Sequence, residues 1–154
     1  MGEVARIHDQ LVRAFHGEAW HGAPVRDLVA GVGAEQAARR VLPHAHTIWE
    51  IVLHISAWQR AVLGRLRGRE LQLTPEEDWP PVADTGERAW KAALGELEET
   101  HRQLADAVAA LDEAALERVV PGKRYSVYYM LHGVIQHDLY HAGQIAVLRK
   151  EVLS

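Results

Sequence analysis

Apolar residues recur at intervals of three and four in four stretches of the chain, which is the period of a helix with one buried face. The first stretch ends near Gly17. The second has a defined start, because Thr47 and Glu50 have the spacing of a capping box, and Gly68 can end the helix. The apolar positions of these two predicted helices are Val4, Ile7, Leu11 and Phe15, then Ile48, Ile51, Val52, Ile55, Trp58, Val62 and Leu66.

Two further helices are predicted in the C-terminal half. Asp84 is the candidate N-cap of the third helix and Ser126 that of the fourth. Arg149 and Lys150 fall in the last turn of the fourth, where cations suit the helix dipole. The buried stripes of the two helices are Trp90, Leu94, Leu97, His101, Leu104, Val108 and Leu111, then Val127, Met130, Leu131, Val134, His137, His141, Ile145 and Leu148.

This pattern predicts an all-α protein, a four-helix bundle formed by a single domain over residues 1–154, since no strand-like alternation competes. The connection over residues 18–46 is long and includes a predicted short helix around "PVRDLVAG". The connection "LTPEEDWPPVAD" is rich in proline and acidic residues. Connections of this length favour a bundle with crossovers over a simple up-down-up-down arrangement.

Charge and composition exclude several classes of protein. A net charge of −4 argues against a nucleic-acid binder, and no apolar run is long enough to span a membrane. The absence of cysteine removes disulfides, thiolate zinc sites and a cysteine nucleophile. Since the first ten residues also lack the apolar core of a signal peptide, we expect a cytoplasmic protein.

Four arginines cluster near the predicted end of the second helix: Arg60, Arg65, Arg67 and Arg69. We interpret them as a solvated helix C-terminus, where positive charge suits the dipole. A phosphate-binding patch is the alternative.

The stretch "HDLYH" supplies the first candidate chemistry. His137 and His141 are four residues apart and share one face of the fourth helix, so both can point at one ion. Two hydrogen-bonded core histidines would give the same pattern. With Asp138 in the glutamate position, the stretch is similar to a zinc-protease signature. However, aspartate is shorter, and only 13 residues follow His141, so a third ligand must come from upstream.

His54, beside the buried stripe of the second helix, is the most economical third ligand, and His101 is its main rival. Bundle metal sites use inward side chains from facing helices, which favours the set His54, His137 and His141. His46 lies about 12 Å along the axis from His54, too far to share an ion with it. Three protein ligands leave open positions, as in catalytic sites. Asp138 or Gln144 could orient the histidines, or could make only interhelical or solvent contacts.

Several segments together resemble the DinB/YfiT-like superfamily: "TIWE" before "VLHISAW", then "DWPPV", "RAWKAAL" and "HGVIQHDLYHAGQIAVLRK". The resemblance implies a four-helix bundle with an unusual connection order, usually a homodimer. It implies a divalent metal ion, commonly zinc or nickel, bound by His54, His137 and His141. For some relatives it implies transfer of a low-molecular-weight thiol, such as bacillithiol or mycothiol, onto an electrophile.

The function expected from these features is that of a metal-dependent thiol S-transferase whose partners are a small-molecule thiol and an electrophile. The ion would deprotonate the thiol, and Asp138 or a metal-bound hydroxide would take the proton. Metal-dependent hydrolysis of a small ester or amide is the nearest alternative chemistry. A non-enzymatic dimeric metal-binding or stress-response protein is the alternative outside enzymology.

Overall fold

The computed structural model describes all 154 residues, which form seven α-helices, one 3₁₀ helix and their connections, with no β-strand. The four long helices and the short one around "PVRDLVAG" were predicted, whereas two one-turn helices and a 3₁₀ helix over Glu113–Glu117 were not. No helix combines the length and the apolar character needed to cross a bilayer. The helices are α1 (Glu3–Phe15), α2 (Val25–Val29), α3 (Ala34–Ala38), α4 (Ile48–Leu66), α5 (Pro75–Asp78), α6 (Glu87–Ala109) and α7 (Val127–Val152).

The starts of α4 and α7 are fixed by the predicted capping residues. Thr47 Oγ1 accepts a hydrogen bond from the Glu50 amide at 3.1 Å. The Glu50 carboxylate accepts one in return from the Thr47 amide at 2.8 Å. Ser126 Oγ accepts from the Tyr129 amide at 3.2 Å. Each contact satisfies a backbone donor that the first helical turn leaves free.

The predicted N-cap of α6 was wrong by two residues. Gly86 is the N-cap, and the Asp84 carboxylate accepts a hydrogen bond from the Gly86 amide at 2.8 Å, which forms a tight turn ahead of the helix. The predicted stop of α4 is confirmed, because Gly68 has φ +83°, a conformation that favours glycine.

The order of the long helices around the bundle differs from their order in the chain. Both α1 and α4 pack against α6 and α7. Helices α1 and α4 therefore occupy opposite corners, and the connection over residues 16–47 crosses the end of the bundle. Helices α2 and α3 lie in this connection. Helix α2 packs against α7, and α3 packs against α4 and α6. The predicted crossover is thus confirmed.

The core is divided into two apolar clusters along the bundle axis. The residues at which one cluster gives way to the other are Ile55 and Val62 on α4, Leu97 and Leu104 on α6, and Ile135 and Ala142 on α7. Buried polar side chains occupy the boundary between the clusters: His54, Ser56 and Gln59 on α4, Thr100 and His101 on α6, and Asp138 and His141 on α7. Since buried polar groups need partners, this boundary is the part of the core most suited to chemistry.

Candidate metal centre

Three histidines from two helices converge at the boundary between the clusters. His54 comes from α4, and His137 and His141 come from successive turns of α7. One ring nitrogen from each lies within 4.8 Å of the corresponding atoms of the other two, and the Nε2 atoms of His54 and His137 are 3.0 Å apart. The structure thus brings together the three residues that the sequence suggested as ligands.

The Nδ1 atoms of two of these rings are held by carbonyl oxygens. His54 Nδ1 donates a hydrogen bond to the backbone carbonyl of Asp78 at 2.6 Å. His141 Nδ1 donates to Gln144 Oε1, one turn further along α7, at 2.7 Å. A proton fixed on Nδ1 leaves the lone pair on Nε2, and acceptors of this kind orient histidine ligands in metal sites.

Asp138 stands behind the third ring and is fully buried. Its Oδ1 lies 3.8 Å from His137 Nδ1, and its Oδ2 accepts a hydrogen bond from Gln59 Nε2 at 2.8 Å. Burial raises the pKa of the Asp138 carboxyl, while the neighbouring His137 opposes that rise. Solvent does not reach Asp138, and neither its Oδ1 nor His137 Nδ1 has a hydrogen-bond partner.

The segment after α4 covers the site, a feature that the sequence patterns did not predict. The Trp79 ring stacks on His54 with 3.7 Å between ring centroids, and His46 stacks on the opposite face of Trp79 at 3.5 Å. Trp58 Nε1 donates to the Asp78 carboxylate at 2.6 Å and ties the same segment to α4. In the sequence, the segment "DWPPV" was notable only as part of the family resemblance, and its spacing did not predict a cover over the histidines.

Burial keeps two of the three candidate ligands, His54 and His141, in the form that binds metal. His54 and His141 are each 5% exposed. Burial, reinforced by the neighbouring histidines, lowers the pKa of His54 and lowers the pKa of His141 to about 4. Both rings are therefore neutral near pH 7, as metal coordination requires.

The close approach of the His54 and His137 rings bears on whether these residues can bind a cation. With its proton on Nδ1, His54 turns an Nε2 lone pair toward His137 Nε2. If His137 carries its proton on Nδ1, facing Asp138, two lone pairs meet at 3.0 Å; if on Nε2, its Nδ1 lone pair faces the buried carboxylate. The first form leaves two lone pairs facing each other, a contact that a cation between the rings would remove, and three imidazole nitrogens this close together are a donor set that suits a divalent metal ion.

The rival ligand His101 lies elsewhere. Its ring stacks on Phe15 of α1, with 3.9 Å between centroids, and both of its ring nitrogens lack hydrogen-bond partners. His46 is closer to His54 than the helical rise predicted, since both rings stack on Trp79, but the indole lies between them and His46 does not join the three histidines.

A cavity of about 220 Å³ opens beside the histidines, at the side of His137. The His137 side chain is 24% exposed, so it is the most accessible of the three. The other lining residues are Trp58, Val62, Arg65, Tyr125, Tyr129, Met130, Gly133 and Val134.

The chain matches a family model described as the DinB superfamily over residues 19–145, a span that includes the three histidines. No curated protein matches the chain.

Proposed function

The chain belongs to the DinB superfamily, and we propose that it is a metal-dependent thiol S-transferase acting on small electrophiles. In this proposal His54, His137 and His141 bind a divalent ion, zinc or nickel. The observation that carries it is the convergence of three imidazoles, two of which have their Nδ1 atoms held by carbonyl oxygens. Because the chain has no cysteine, the thiol must come from a co-substrate.

A bound ion would supply the Lewis acidity that makes a thiol or a water acidic near neutral pH. The chain's own residues prepare the site for it. His137 offers the exposed edge at which a substrate can enter. Trp79 and Trp58 exclude water from the His54 side, and the buried Asp138 carboxyl, whose Oδ1 is 3.8 Å from His137 Nδ1, would orient His137 when the site is loaded. We assign Asp138 as a positioning residue.

Metal content is the first test. Protein purified without chelator or nickel affinity resin is expected to hold about one divalent ion per chain by elemental analysis. His54→Ala should abolish binding, whereas His101→Leu, a control in the same buried layer, should retain it. Equal loss in both variants, or loss only in His101→Leu, would contradict the ligand set.

The transferase activity is tested by mixing metal-loaded protein with a panel of small thiols and the electrophile monobromobimane. Thiol adducts should form faster than without protein, and both a chelator and His54→Ala should remove the acceleration. If every thiol reacts at the rate without protein, the transferase proposal fails.

Hydrolysis is the second candidate, because the same open position can take a water instead of a thiol. The accessible edge of His137 and the adjoining cavity favour either enzyme over a sealed, non-enzymatic metal-binding protein. Metal-dependent cleavage of 4-nitrophenyl esters without any thiol would favour the hydrolase.

We also propose that the protein is a homodimer assembled through α7. This helix exposes Tyr129, Tyr140 and Val147, which share one face and are 60–67% exposed. A second copy of α7 packed along this face would cover all three side chains. Light scattering should give twice the chain mass for the wild type and a monomer for Tyr140→Glu; a monomeric wild type contradicts the proposal.

A further inference from the structure

A buried arginine near the end of α4 has no acidic partner. Arg65 is 5% exposed and is the only lysine or arginine in the core. The sequence-based interpretation of the four arginines is right for the exposed Arg60, Arg67 and Arg69 and wrong for this one. All arginine–carboxylate ion pairs of the chain involve other arginines. A buried cation without a counter-ion destabilises a fold unless another group compensates for it.

The hydrogen bonds of Arg65 fix its guanidinium without satisfying it. Nε and Nη2 donate to the Leu71 carbonyl at 3.3 and 3.0 Å, and Nη1 donates to the Tyr125 hydroxyl at 3.3 Å. The Trp58 ring lies 5.6 Å from the guanidinium carbon. A guanidinium has five N–H bonds, so two remain without a protein acceptor. They are available to an anionic group.

Arg65 and His137 line the same cavity of about 220 Å³. The remaining walls are largely aromatic and aliphatic, with Trp58, Val62, Met130 and Val134 among them. An apolar cavity of about 150 Å³ accepts a benzene molecule. This cavity therefore has room for one ring, or a short aliphatic chain, carrying a small polar group.

We propose that this cavity selects a small apolar carboxylate as substrate, with the carboxylate paired to Arg65 and the apolar body directed toward the three histidines. The proposal rests on the metal-dependent function above and names its substrate class. The planar guanidinium fork matches a carboxylate, and the apolar surroundings strengthen the pair. The one buried carboxylate of the chain, Asp138, accepts a hydrogen bond from Gln59 and does not pair with Arg65.

Binding is tested on full-length, metal-free protein, so that the probe cannot coordinate an ion. Benzoate, phenylacetate and hexanoate are compared by calorimetry with the matching neutral alcohols. At least one acid should bind about tenfold or more tightly than its alcohol, since a hydrogen bond to a charged group contributes that much. If no acid binds more tightly than its alcohol, the proposal is overturned.

Arg65→Met should reduce the affinity for the acid about tenfold or more and leave the affinity for the alcohol unchanged. An unchanged acid affinity overturns the proposal. Because Arg65 is buried, a second variant leaves it in place. Gly133→Leu adds a side chain at a cavity wall where a Cβ meets no atom within 4 Å.

Gly133→Leu should abolish binding of the acid while the protein remains folded. Gly95→Leu on α6 is the matched control, since its Cβ also meets nothing within 4 Å and it lies outside this cavity. That variant should bind the acid like the wild type. Acid binding that survives in Gly133→Leu, or is lost equally in both variants, overturns the assignment to this cavity.

Metal titration of the same preparations separates this proposal from the one on which it rests. Metal binding that needs His54, without selective acid binding, overturns the substrate class and leaves the metal-dependent function standing. Arg65-dependent acid binding in a protein that binds no metal overturns the proposed function and supports the pocket.

Discussion

Asp138 lies behind the three candidate ligands, in a position that solvent does not reach. Gln59 holds one of its oxygens, and the other faces His137 Nδ1 at 3.8 Å. A carboxylate in this position raises the basicity of a histidine ligand and restricts its ring orientation. His54 Nδ1 also has a carboxylate nearby, with Asp78 Oδ1 at 3.2 Å beside the Asp78 backbone carbonyl, whereas His141 relies on the neutral Gln144 amide oxygen.

Replacing Asp138 with Asn should lower metal affinity about 10- to 100-fold, because the charge behind His137 is lost while the side-chain volume is kept. Competition with a chromophoric chelator measures the affinity. Asp106→Asn, an exposed carboxylate on α6, is the control and should bind metal like the wild type. Asp138→Asn with wild-type affinity would show that the carboxylate does not support the ligand.

His101 makes folding sensitive to acid, independently of the metal. The ring is 2% exposed, and burial lowers its pKa to about 3, with His16 adding to the effect. The ordinary histidine pKa is about 6.5. Between these values the unfolded chain binds a proton at this residue that the folded chain does not, so stability falls as the pH falls from about 6.5 toward 3.

His101→Phe should remove this acid sensitivity, since Phe can keep the stacking on Phe15. Below about pH 6, the difference in free energy of unfolding between the variant and the wild type should increase in favour of the variant by roughly 1.4 kcal/mol for each pH unit of acidification. Urea denaturation at several pH values, with chelator present, measures the difference without metal effects. Parallel pH dependences in the two proteins would show that His101 is not protected from protonation.

At the scale of secondary structure, two capping boxes serve different purposes. The buried Thr47 caps α4, a principal helix of the core, and the exposed Thr74 caps the one-turn helix α5. The residues that follow in and after α5, Asp78 and Trp79, hold and cover His54. The two caps therefore allow global stability and site geometry to be perturbed separately.

Thr47→Ala should lower the free energy of unfolding by about 1 kcal/mol and leave metal affinity unchanged. Thr74→Ala should change unfolding by less than about 0.5 kcal/mol, as for most surface substitutions, and should weaken metal binding by loosening the cover over His54. Urea denaturation and chelator competition on both variants test this pair. Metal affinity that falls only in Thr47→Ala would refute the separation.

Features that depend on short-range spacing were predictable from the sequence. The 3.6-residue period located the long helices, and Thr47 with Glu50 fixed the start of α4, because these signals act within one helix. His137 and His141 share a face for the same reason. Choosing His54 over His101 required knowing which helices face each other, and spacing alone left both open.

Long-range contacts explain what the sequence did not reveal. Trp79 is 25 residues from His54 and reaches it only because α5 folds back over α4. Arg65 stands among exposed arginines, and only the contacts with Leu71 and Tyr125 show that it turns inward. The start of α6 was predicted two residues too early, at Asp84. Its carboxylate accepts from the Gly86 amide within a turn, and a carboxylate can cap a turn as well as a helix.

At the scale of the whole molecule, the three histidines join α4 to α7 at the boundary between the two apolar clusters. Along these helices the continuous apolar packing is interrupted at this level by Gln59, Asp138 and the ligands. A bound ion would link two helices where hydrophobic burial contributes least. Metal binding should therefore stabilise the fold as a whole.

We expect zinc or nickel at about 100 times its dissociation constant to add about 2.7 kcal/mol to the stability of the metal-free protein. For a chain of this size, that corresponds to a rise in Tm of roughly 5–10 °C. Thermal denaturation followed by circular dichroism measures the shift. His54→Ala should show none, whereas Gly95→Leu should shift like the wild type. Because the chain has ten histidines, an equal shift in His54→Ala would mean that the stabilising ion binds elsewhere.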